Sequence, residues 1–391
     1  MKKINDMELN EKKILIRCDL NVPMKNNKIS SYSRIIASLP TIKFALKKKT
    51  KIIIMSHLGR PKEGVFEKKF SLYPIYLYFK KIFPKIKVNF CKSYLTEKIN
   101  FDAKLTVLEN VRFNVGEKSN NEELAKKYAN LCDLFVMDAF GVVHRKHSST
   151  YNVIKFSKKS CAGILLIKEI NALTNILKKP KRPMIAIIGG SKISTKFNVL
   201  NALGKITDNI IVGGGIANTF IAIKNNVGKS LFEKKFVQSA KKMKNDFNIT
   251  IPIDSHVATE FKKNAPSRIT DVNNIKENEE IMDFGEKTII KMKKIIQKAN
   301  TILWNGPIGV FEFPKFRIGT EILAKTIANS KSFSIAGGGD TLSVIDMFNI
   351  EKKISYISTG GGAFLKFIEG KKLPVIEILK KKSYKKHKKT E

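Results

Sequence analysis

Polar side chains follow the apolar runs of this 391-residue sequence, and their chemistry differs between the two halves of the chain. Arginine and histidine can bind a small polyanion through charge-assisted hydrogen bonds. Glycine turns with lysines suit a polyphosphate and its metal ion, because the backbone can approach the ligand closely. Two unlike anion sites predict the transfer of a group between two bound molecules. The first-half runs end at Asp19, Asn21, His57, Arg60, Arg112 and Arg145, and the second half has glycines with Lys192, Lys196 and Asp340.

The stretch Ser334–Thr341 is the most informative motif of the second half. An apolar pattern stops at three glycines (337–339), and a helical pattern begins after Asp340. This order predicts a strand, a tight turn and a helix whose first N–H groups favour an anion. Asp340 would then hold a metal ion that accompanies the anion. Ordinary turn chemistry explains the motif equally well when it is taken alone.

Strands that alternate with helices are needed to position these residues. The alternation predicts an α/β fold with parallel sheets covered by helices, whose ligands bind beyond the carboxyl ends of the strands. Arg34 falls at the start of a predicted helix, where the helix dipole disfavours a cation, so it is expected to serve a ligand. Arg17 is interpreted as structural. The strand patterns are Lys12–Ile16, Lys51–Met55, Leu105–Leu108, Leu134–Met137, Met184–Ile188, Asn209–Val212, Thr301–Trp304, Phe333–Ala336 and Ile354–Ser358.

The formal charge of +39 raises the possibility of nucleic-acid binding. Of the 73 basic residues only eight are arginines, and the lysine excess is spread along the whole chain beside Ile and Asn. A coding bias explains this distribution more simply, although a basic nucleic-acid-binding protein stays an alternative. The four scattered cysteines fit a reducing cytosol. The longest strongly apolar run, Cys161–Ile167, is too short to span a membrane, and the first residues do not resemble a signal peptide.

Several common sites are missing from the sequence. The loop Gly189–Lys196 departs from the Walker A pattern, and the loop from Gly213 has Asn218 where a dinucleotide-binding fingerprint needs its third glycine. A Rossmann dehydrogenase is therefore a weaker alternative. His144 and His147 share a possible helical face, but no cluster of metal ligands surrounds them, which argues against zinc.

The motifs taken together resemble the phosphoglycerate kinase family from about Ile14 to about Ile378. The resemblance rests on many rare strings in the right order. They are RCDLNVP (17–23), SHLGRP (56–61), ENVRF (109–113), DAFG (138–141), GGSK (189–192), VGGGIA (212–217), LWNGP (303–307), AGGGDT (336–341) and STGGGA (358–363).

The resemblance implies two Rossmann-like domains with parallel sheets, joined by a helix hinge. Residues 1–162 would form the N-terminal domain that binds 3-phosphoglycerate, and residues 163–180 the interdomain helix. Residues 181–372 would form the C-terminal nucleotide-binding domain. The segment 373–391 would return to the N-terminal domain and end in a frayed basic tail.

The resemblance also implies a role for each matching residue. A catalytic set would stabilise the transferring phosphoryl group: Arg34, Lys192, Gly338, Gly360 and Gly361. A substrate set would hold 3-phosphoglycerate or 1,3-bisphosphoglycerate: Asp19, Leu20, Asn21, Arg34, His57, Leu58, Gly59, Arg60, Arg112 and Arg145. A nucleotide set would hold ATP or ADP: Lys196, Gly213, Asn305, Glu312, Gly338, Gly339, Asp340 and Thr341. Asp340 would hold Mg²⁺.

The implied activity is the reversible glycolytic transfer of a phosphoryl group between 1,3-bisphosphoglycerate and ADP, in line and on domain closure. The implied protein is a cytoplasmic monomer without a membrane or a specific nucleic-acid partner. Three residues depart from the family pattern: Val142 and Val143 replace a usual Thr-Ala pair, and Lys366 replaces a usual Glu.

Overall fold

The computed structural model describes residues 1–97 and 99–384. The chain divides into two compact units, of which the first comprises Met1–Asn171 together with the described residues from Lys372 to 384. The second comprises Ala172–Lys371. The helix Ile164–Lys178 runs across the boundary between them.

The first unit is built on a six-stranded parallel sheet with the order β5-β6-β4-β1-β7-β8. Most residues of the inner strands are buried on both faces, which fits their nearly continuous Ile, Leu and Val content. A short hairpin, β2–β3, follows β1. The strands are β1 (Lys13–Arg17), β2 (Met24–Lys25), β3 (Lys28–Ile29), β4 (Lys51–Met55), β5 (Val88–Cys91), β6 (Leu105–Leu108), β7 (Leu134–Met137) and β8 (Lys159–Ala162).

Helices of the first unit connect these strands. Asn121 caps α3, because its Oδ1 accepts a hydrogen bond from the backbone N–H of Leu124 at 2.9 Å. Pro40 lies inside α1, which nevertheless begins at Ser33. The helices are α1 (Ser33–Leu46), α2 (Tyr73–Ile82), α3 (Glu122–Asn130), α4 (Val153–Phe156) and α5 (Ile164–Lys178).

The second unit has its own six-stranded parallel sheet, with the order β11-β10-β9-β15-β16-β17. A three-stranded antiparallel sheet, β13-β12-β14, was not predicted from the sequence. The strands are β9 (Met184–Ile188), β10 (Asn209–Val212), β11 (Ile249–Thr250), β12 (Asp254–Ala258), β13 (Ser267–Asp271), β14 (Glu280–Phe284), β15 (Thr301–Asn305), β16 (Phe333–Gly337) and β17 (Tyr356–Ser358).

Helices of the second unit begin close to the carboxyl ends of its strands. The core beneath them contains Trp304, which is fully buried on β15. Each of α7, α11 and α12 begins at a glycine turn. The helices are α6 (Phe197–Gly204), α7 (Gly214–Ile221), α8 (Val237–Asp246), α9 (Glu286–Lys298), α10 (Ile318–Ala328), α11 (Gly339–Met347) and α12 (Gly362–Ile368).

The chain returns to the first unit in the helix α13 (Pro374–Tyr384). The backbone N–H of Val375 donates to the carbonyl oxygen of Val143 at 3.2 Å, and that of Lys2 donates to Ser383 Oγ at 3.1 Å. The first residues of the basic run, 380–384, are therefore helical. The rest of the predicted frayed tail lies outside the described residues.

The predicted fold class, α/β with two parallel sheets, is confirmed. The predicted strand, turn and helix over Ser334–Thr341 are also confirmed, as β16, Gly338 and α11. Within the described part of the chain, no helix has both the length and the apolar character needed to cross a membrane.

Candidate functional sites in the two units

Parallel strand register places the loops after β1, β4, β6 and β7 at one edge of the first sheet. Arg17, the last residue of β1, is in register with Met55 on one side and Met137 on the other. The chain continues from these ends into Asp19, His57 and the other predicted substrate residues. We call this edge the first site.

Arg34 lies in the first turn of α1 and reaches back to the loop after β1. Its Nη1 donates to the carbonyl oxygen of Asn21 at 3.0 Å and lies 3.3 Å from Asp19 Oδ1. Asp19 is buried, whereas the Arg34 side chain is 25% exposed. Nε and Nη2 of Arg34 have no hydrogen-bond partner among the described residues, so they can donate to a bound anion.

Gly59 connects two of the predicted substrate residues. Its N–H donates to Asn21 Oδ1 at 2.8 Å, and its carbonyl oxygen accepts from Arg112 Nη1. The φ of +61° favours glycine, and an added Cβ would lie 2.2 Å from the ring of Phe70. Gly59 therefore fixes the amide of Asn21 and the guanidinium of Arg112 on the same loop.

His57 is buried where four arginine charges converge. Burial, together with the charges of Arg17, Arg112, Arg34 and Arg145, lowers the pKa of His57 well below its ordinary value. Arg17 Nη2 lies 3.2 Å from His57 Nδ1. His57 is therefore neutral at physiological pH, and the surrounding positive charge is supplied by arginine.

A buried network that the sequence did not reveal supports this cluster. Arg17 Nε donates to Ser149 Oγ at 3.1 Å, and Ser149 Oγ donates to Glu117 Oε1 at 2.6 Å. Ser149 N–H donates to the other oxygen of Glu117 at 3.0 Å. Burial raises the pKa of Glu117, although Ser149 and Arg17 oppose this shift. No sequence pattern marks Ser149 or Glu117, because the fold alone brings their loops together.

The remaining predicted substrate residues differ in how firmly they are held. Arg145 Nε donates to His144 Nε2 at 3.0 Å. His147 is not one of the predicted substrate residues, and burial, with the charges of neighbouring arginines, lowers its pKa to about 3. Arg60 is exposed and makes no hydrogen bond or ion pair within the described residues. Leu20 and Leu58 are buried and form backbone hydrogen bonds. The N–H of Leu20 donates to Ser56 Oγ, and the carbonyl oxygen of Leu58 accepts from Asn110 Nδ2.

In the second unit, the loops after β9, β10 and β15 are joined to one another by backbone hydrogen bonds. The N–H of Gly189 donates to the carbonyl oxygen of Asn305 at 3.0 Å, and that of Gly214 donates to Ile308 at 3.0 Å. A Cβ at Gly189 would lie 1.6 Å from the carbonyl oxygen of Pro307. Glycine is required here because one loop passes directly over another. We call this edge of the second sheet the second site.

The turn between β16 and α11 is joined to the same structure by Thr341. Its Oγ1 accepts from the N–H of Gly306 at 2.8 Å and donates to the carbonyl oxygen of Gly337 at 2.9 Å. Asn305 Nδ2 donates to Gly337 at 2.6 Å, and Asn305 Oδ1 is buried without a partner among the described residues. Thr341 is fully buried, and these two hydrogen bonds make its side chain a support of the turn.

The two predicted lysines of the second site have different environments. Lys196 is largely buried, and its Nζ donates to the carbonyl oxygens of Gly189 at 2.6 Å and Asn305 at 3.2 Å. Burial lowers the pKa of Lys196 to about 8, although the charge of Asp340 opposes this shift. Lys192 is exposed. Glu233, which the sequence did not indicate, anchors the turn between the lysines by accepting from the N–H and Oγ of Ser194, both at 2.7 Å.

The other predicted residues of the second site lie on loops and helix starts. Gly338 has a φ of +105° and precedes α11, whose first turn contains the exposed Asp340. Gly361 has a φ of +49° and precedes α12. Glu312 is exposed on the loop between β15 and α10. Gly213, at the N-cap of α7, has no room for a side chain, since a Cβ would lie 2.6 Å from Ile308 Cα.

The described residues contain no group of three or more His, Cys, Asp or Glu side chains that could hold a metal ion. Mg²⁺ commonly binds through one or two carboxylates together with substrate phosphates. The exposed carboxylate of Asp340, beside the N-terminus of α11, fits a magnesium ion carried by a nucleotide. It does not fit a metal held by protein side chains alone.

Comparison with known sequences finds similarity to phosphoglycerate kinases over nearly the whole chain. The model of the family described as Phosphoglycerate kinase matches residues 4–371. A phosphoglycerate kinase from Buchnera aphidicola subsp. Acyrthosiphon pisum (strain Tuc7) is 62% identical over 380 residues, which cover 97% of each chain. One from Buchnera aphidicola subsp. Schizaphis graminum (strain Sg) is 60% identical over 386 residues, covering 98% of this chain and 100% of the relative.

Solved structures agree with the sequence relationship. The structure of phosphoglycerate kinase from Coxiella burnetii has a TM-score of 0.88 at 44% identity, covering 97% of this chain and 99% of the other. The crystal structure of phosphoglycerate kinase from Pyrococcus horikoshii OT3 has a TM-score of 0.83 at 29% identity, covering 97% and 98%.

Proposed function

Because the chain belongs to the phosphoglycerate kinase family and is therefore a glycolytic kinase, we propose that it transfers a phosphoryl group reversibly between 1,3-bisphosphoglycerate and ADP. The products are 3-phosphoglycerate and ATP. The observation that carries the proposal is the convergence of arginines on neutral His57 in one unit, combined with a glycine-lined loop structure in the other. Two anion sites of different construction fit two different phosphorylated substrates.

The first site suits the phosphoglycerate substrate. Arginine side chains offer rigid donor forks that match phosphate oxygens. Arg112, Arg145 and Arg60, with His57, would bind the 3-phosphate, and Asp19 and Asn21 would bind the hydroxyl and carboxyl region. The backbones of Leu20, Leu58 and Gly59 shape the same pocket. A neutral His57 can still donate one hydrogen bond, while the arginines supply the charge.

The second site suits a nucleotide. Lys192 and Lys196 would bind its phosphates, and the loops at Gly213, Asn305 and Glu312 would bind the nucleoside. Gly338, Gly339 and Thr341 form the turn at the start of α11, where N–H groups favour phosphate. Asp340 would hold the Mg²⁺ that accompanies the nucleotide, and the charge of that ion offsets the charge of the phosphates.

The transfer itself needs alignment and charge neutralisation more than proton transfer. In the ATP-consuming direction the acceptor is a carboxylate, which is already ionised at neutral pH. A general base is therefore unnecessary, and in-line transfer depends on positioned donors. Arg34 and Lys192, with the N–H groups of Gly338 and Gly361, would stabilise the transferring group. The N–H of Gly360 donates to Ser358 Oγ at 3.1 Å, so Gly360 would act by shaping this turn.

We infer that the units must close on one another during the reaction, because the two substrates bind on separate units and water must be excluded. The helix α5 would serve as the connection. The protein is proposed to act as a cytoplasmic monomer on small molecules, without a specific nucleic-acid partner. A cytoplasmic location agrees with the four free cysteines of the described residues, Cys18, Cys91, Cys132 and Cys161.

The decisive experiment is a coupled assay for ATP-dependent phosphorylation of 3-phosphoglycerate. The expected result is NADH oxidation that requires the protein, ATP, Mg²⁺ and 3-phosphoglycerate together, with glyceraldehyde-3-phosphate dehydrogenase as the coupling enzyme. Turnover that persists without 3-phosphoglycerate would indicate simple ATP hydrolysis. No turnover by a folded protein that binds both substrates would contradict the proposed reaction.

A further inference from the structure

A large apolar cavity of about 1140 Å³ lies in the first unit, and none of its lining residues belongs to the candidate sites. We call it the tyrosine groove. It is defined here by the side chains that form its walls: Tyr32, Ile36, Phe66, Tyr73, Leu77 and Tyr78. The kinase reaction gives this groove no role.

Apolar exposure is concentrated at the tyrosine groove. Five of its large apolar side chains are exposed: Tyr32 by 39%, Ile36 by 55%, Phe66 by 58%, Tyr73 by 46% and Leu77 by 46%. These five are a third of the exposed large hydrophobic side chains in the described part of the chain. Single exposed apolar residues need no explanation, whereas a contiguous patch commonly marks an interaction surface.

Two helices supply the walls of the groove with pairs at helical spacing. Tyr32 and Ile36 stand one turn apart at the start of α1, and Tyr73 and Leu77 stand one turn apart on α2. The rings of Tyr32 and Tyr78 meet with centroids 4.5 Å apart, so the walls join at one end. An apolar trough between two helices matches the way in which amphipathic helices are bound by other proteins.

The rim of the groove is uniformly basic. Five lysines line it: Lys28, Lys68, Lys69, Lys81 and Lys92. No lining residue is acidic. Lys69 pairs with Glu67 at 2.9 Å, but the other four have no carboxylate within 4.0 Å in residues 1–97 and 99–384. By contrast, a second cavity of about 600 Å³ in this unit mixes its lysines with Asp6 and Glu8. Two cavities of the second unit, of about 250 and 650 Å³, are also lined by lysines without an acidic residue. The combination of lysines with exposed aromatic side chains is therefore what distinguishes the tyrosine groove.

Charge and size discriminate among possible occupants. A second copy of this chain would bring the same lysines and be repelled. A small molecule typically needs about 300–1,000 Å³, less than this groove provides. A membrane surface would contact a convex patch better than a trough between helices. We propose that the tyrosine groove is a docking surface for an acidic, amphipathic helical segment of a partner protein, independent of the kinase reaction.

The test uses full-length protein and a fluorescein-labelled synthetic helix of about 18 residues, with Leu and Phe on one face and Glu on the other. Binding is measured by fluorescence anisotropy at low and at physiological salt. Two comparison peptides have Lys in place of Glu, or the same composition with the apolar residues dispersed. We expect saturable binding of the acidic amphipathic helix alone, weakened by salt because charges on the rim contribute.

Paired variants connect the binding to the groove. Leu77→Ser removes an exposed apolar contact, and Ile290→Ser is its control because Ile290 is also exposed on a helix, at 55%, in the second unit. Lys28→Glu with Lys92→Glu reverses rim charge, and Lys241→Glu with Lys242→Glu is the matched change on α8. Each groove variant should raise the Kd at least about fivefold, and each control variant should leave it unchanged.

Other outcomes would overturn the proposal. Equal binding of the three peptides, or equal affinity in groove and control variants, would show that the groove is not a specific docking surface. Capture by phosphatidylglycerol vesicles through Leu77, without peptide binding, would identify a membrane as the occupant. Self-association that Leu77→Ser abolishes, measured by sedimentation velocity, would identify a second copy of the chain.

Discussion

The two candidate sites solve the same problem, the binding of phosphate, by different physical means. The first site uses side chains: arginines surround His57, and Arg34, Arg112 and Arg17 are fixed by hydrogen bonds to Asp19, Gly59 and Ser149 respectively. The second site uses the backbone: glycines allow the loops after β9, β10 and β15 to approach one another. The turn after β16 leaves the first N–H groups of α11 available to a ligand. The difference teaches which kind of mutation each site cannot tolerate.

A site built from buried positive charges needs a nearby negative charge to offset them. Burial disfavours the charged form of arginine and lowers the pKa of Arg112 to about 10. Glu117 offsets part of this positive charge through its influence on Arg17 and Arg112. A backbone site avoids buried charges for the most part, but it requires positions without a Cβ. The first site should therefore fail when a side chain is removed, and the second when one is added.

The largest expected effect follows from Arg34→Ala in the first site. Nε and Nη2 of Arg34 have no protein partner within the described residues, and we expect them to bind the transferring group. Loss of such a donor lowers kcat by about 10²–10³-fold. The KM for 3-phosphoglycerate should change much less, because the contact strengthens in the transition state. Steady-state kinetics with both substrates varied will measure this.

Arg34→Lys is the matched control, since it keeps the charge and removes the planar fork. It should recover only part of kcat. Thermal unfolding of both variants would detect the structural effect of leaving Asp19 without its partner. An unchanged kcat for Arg34→Ala would remove Arg34 from the catalytic set and would reduce the first site to a binding site.

The second prediction adds a side chain to the other site. Gly338 has φ +105° and ψ 146°, and an added Cβ would lie 2.6 Å from Asn305 Nδ2. Such backbone strain costs about 1–3 kcal/mol. If Gly338→Ala raises the free energy of the binding-competent turn by about 2 kcal/mol, ATP binding should weaken about 30-fold. Affinity for 3-phosphoglycerate should not change. Isothermal titration calorimetry with each substrate separates the two effects.

Gly370→Ala separates backbone strain from the site itself. Gly370 also has a positive φ, +71°, but a Cβ there would meet no atom within 4 Å. This variant should lose stability by about 1–2 kcal/mol and keep its nucleotide affinity. Equal ATP affinity in Gly338→Ala and the unmodified protein would mean that the turn before α11 does not shape the nucleotide site.

Strand ends were the part of the fold that the sequence predicted best. Short runs of Ile, Leu and Val that stop at glycine or a polar residue identify buried parallel strands and their carboxyl ends, as at Met55 and Ile188. The predicted residues Asp19, Asn21, His57, Arg34, Arg112 and Arg145 all lie within one connected cluster. Apart from Arg34, which lies on α1, their placement follows from the parallel order of the strands.

Supporting contacts could not be predicted, because they depend on loops that only the fold brings together. Ser149 and Glu117 are separated by 32 residues, yet they share two hydrogen bonds beneath Arg17. Glu233 lies 39 residues beyond Ser194, whose turn it anchors. Nucleotide binding by Thr341 stays a prediction, but its side-chain hydrogen bonds with Gly306 and Gly337 could not be predicted from the sequence. Local patterns carry no information about such pairs.

The third prediction tests the exposed carboxylate of Asp340 in the second site. Asp340→Asn keeps the size and one oxygen but removes the charge that would hold Mg²⁺. Two unit charges about 4 Å apart in water interact by about 1 kcal/mol, so the affinity for Mg-ATP should fall about fivefold. Affinity for ATP measured with EDTA should not fall. A loss of affinity that is the same with and without Mg²⁺ would contradict a role for Asp340 at the metal.

The smallest expected effect is a pH dependence that belongs to the second site alone. Burial lowers the pKa of Lys196 to about 8, so this amine loses its proton in the free protein as pH rises through that value. Bound phosphates favour the protonated form, and binding above pH 8 must therefore include proton uptake. Nucleotide affinity should fall about threefold between pH 7.5 and pH 8.5, whereas the first site, whose His57 stays neutral, should bind 3-phosphoglycerate with little change. Lys196→Met should bind nucleotide more weakly but with no such pH dependence, and an equal slope in this variant would assign the titration to another group.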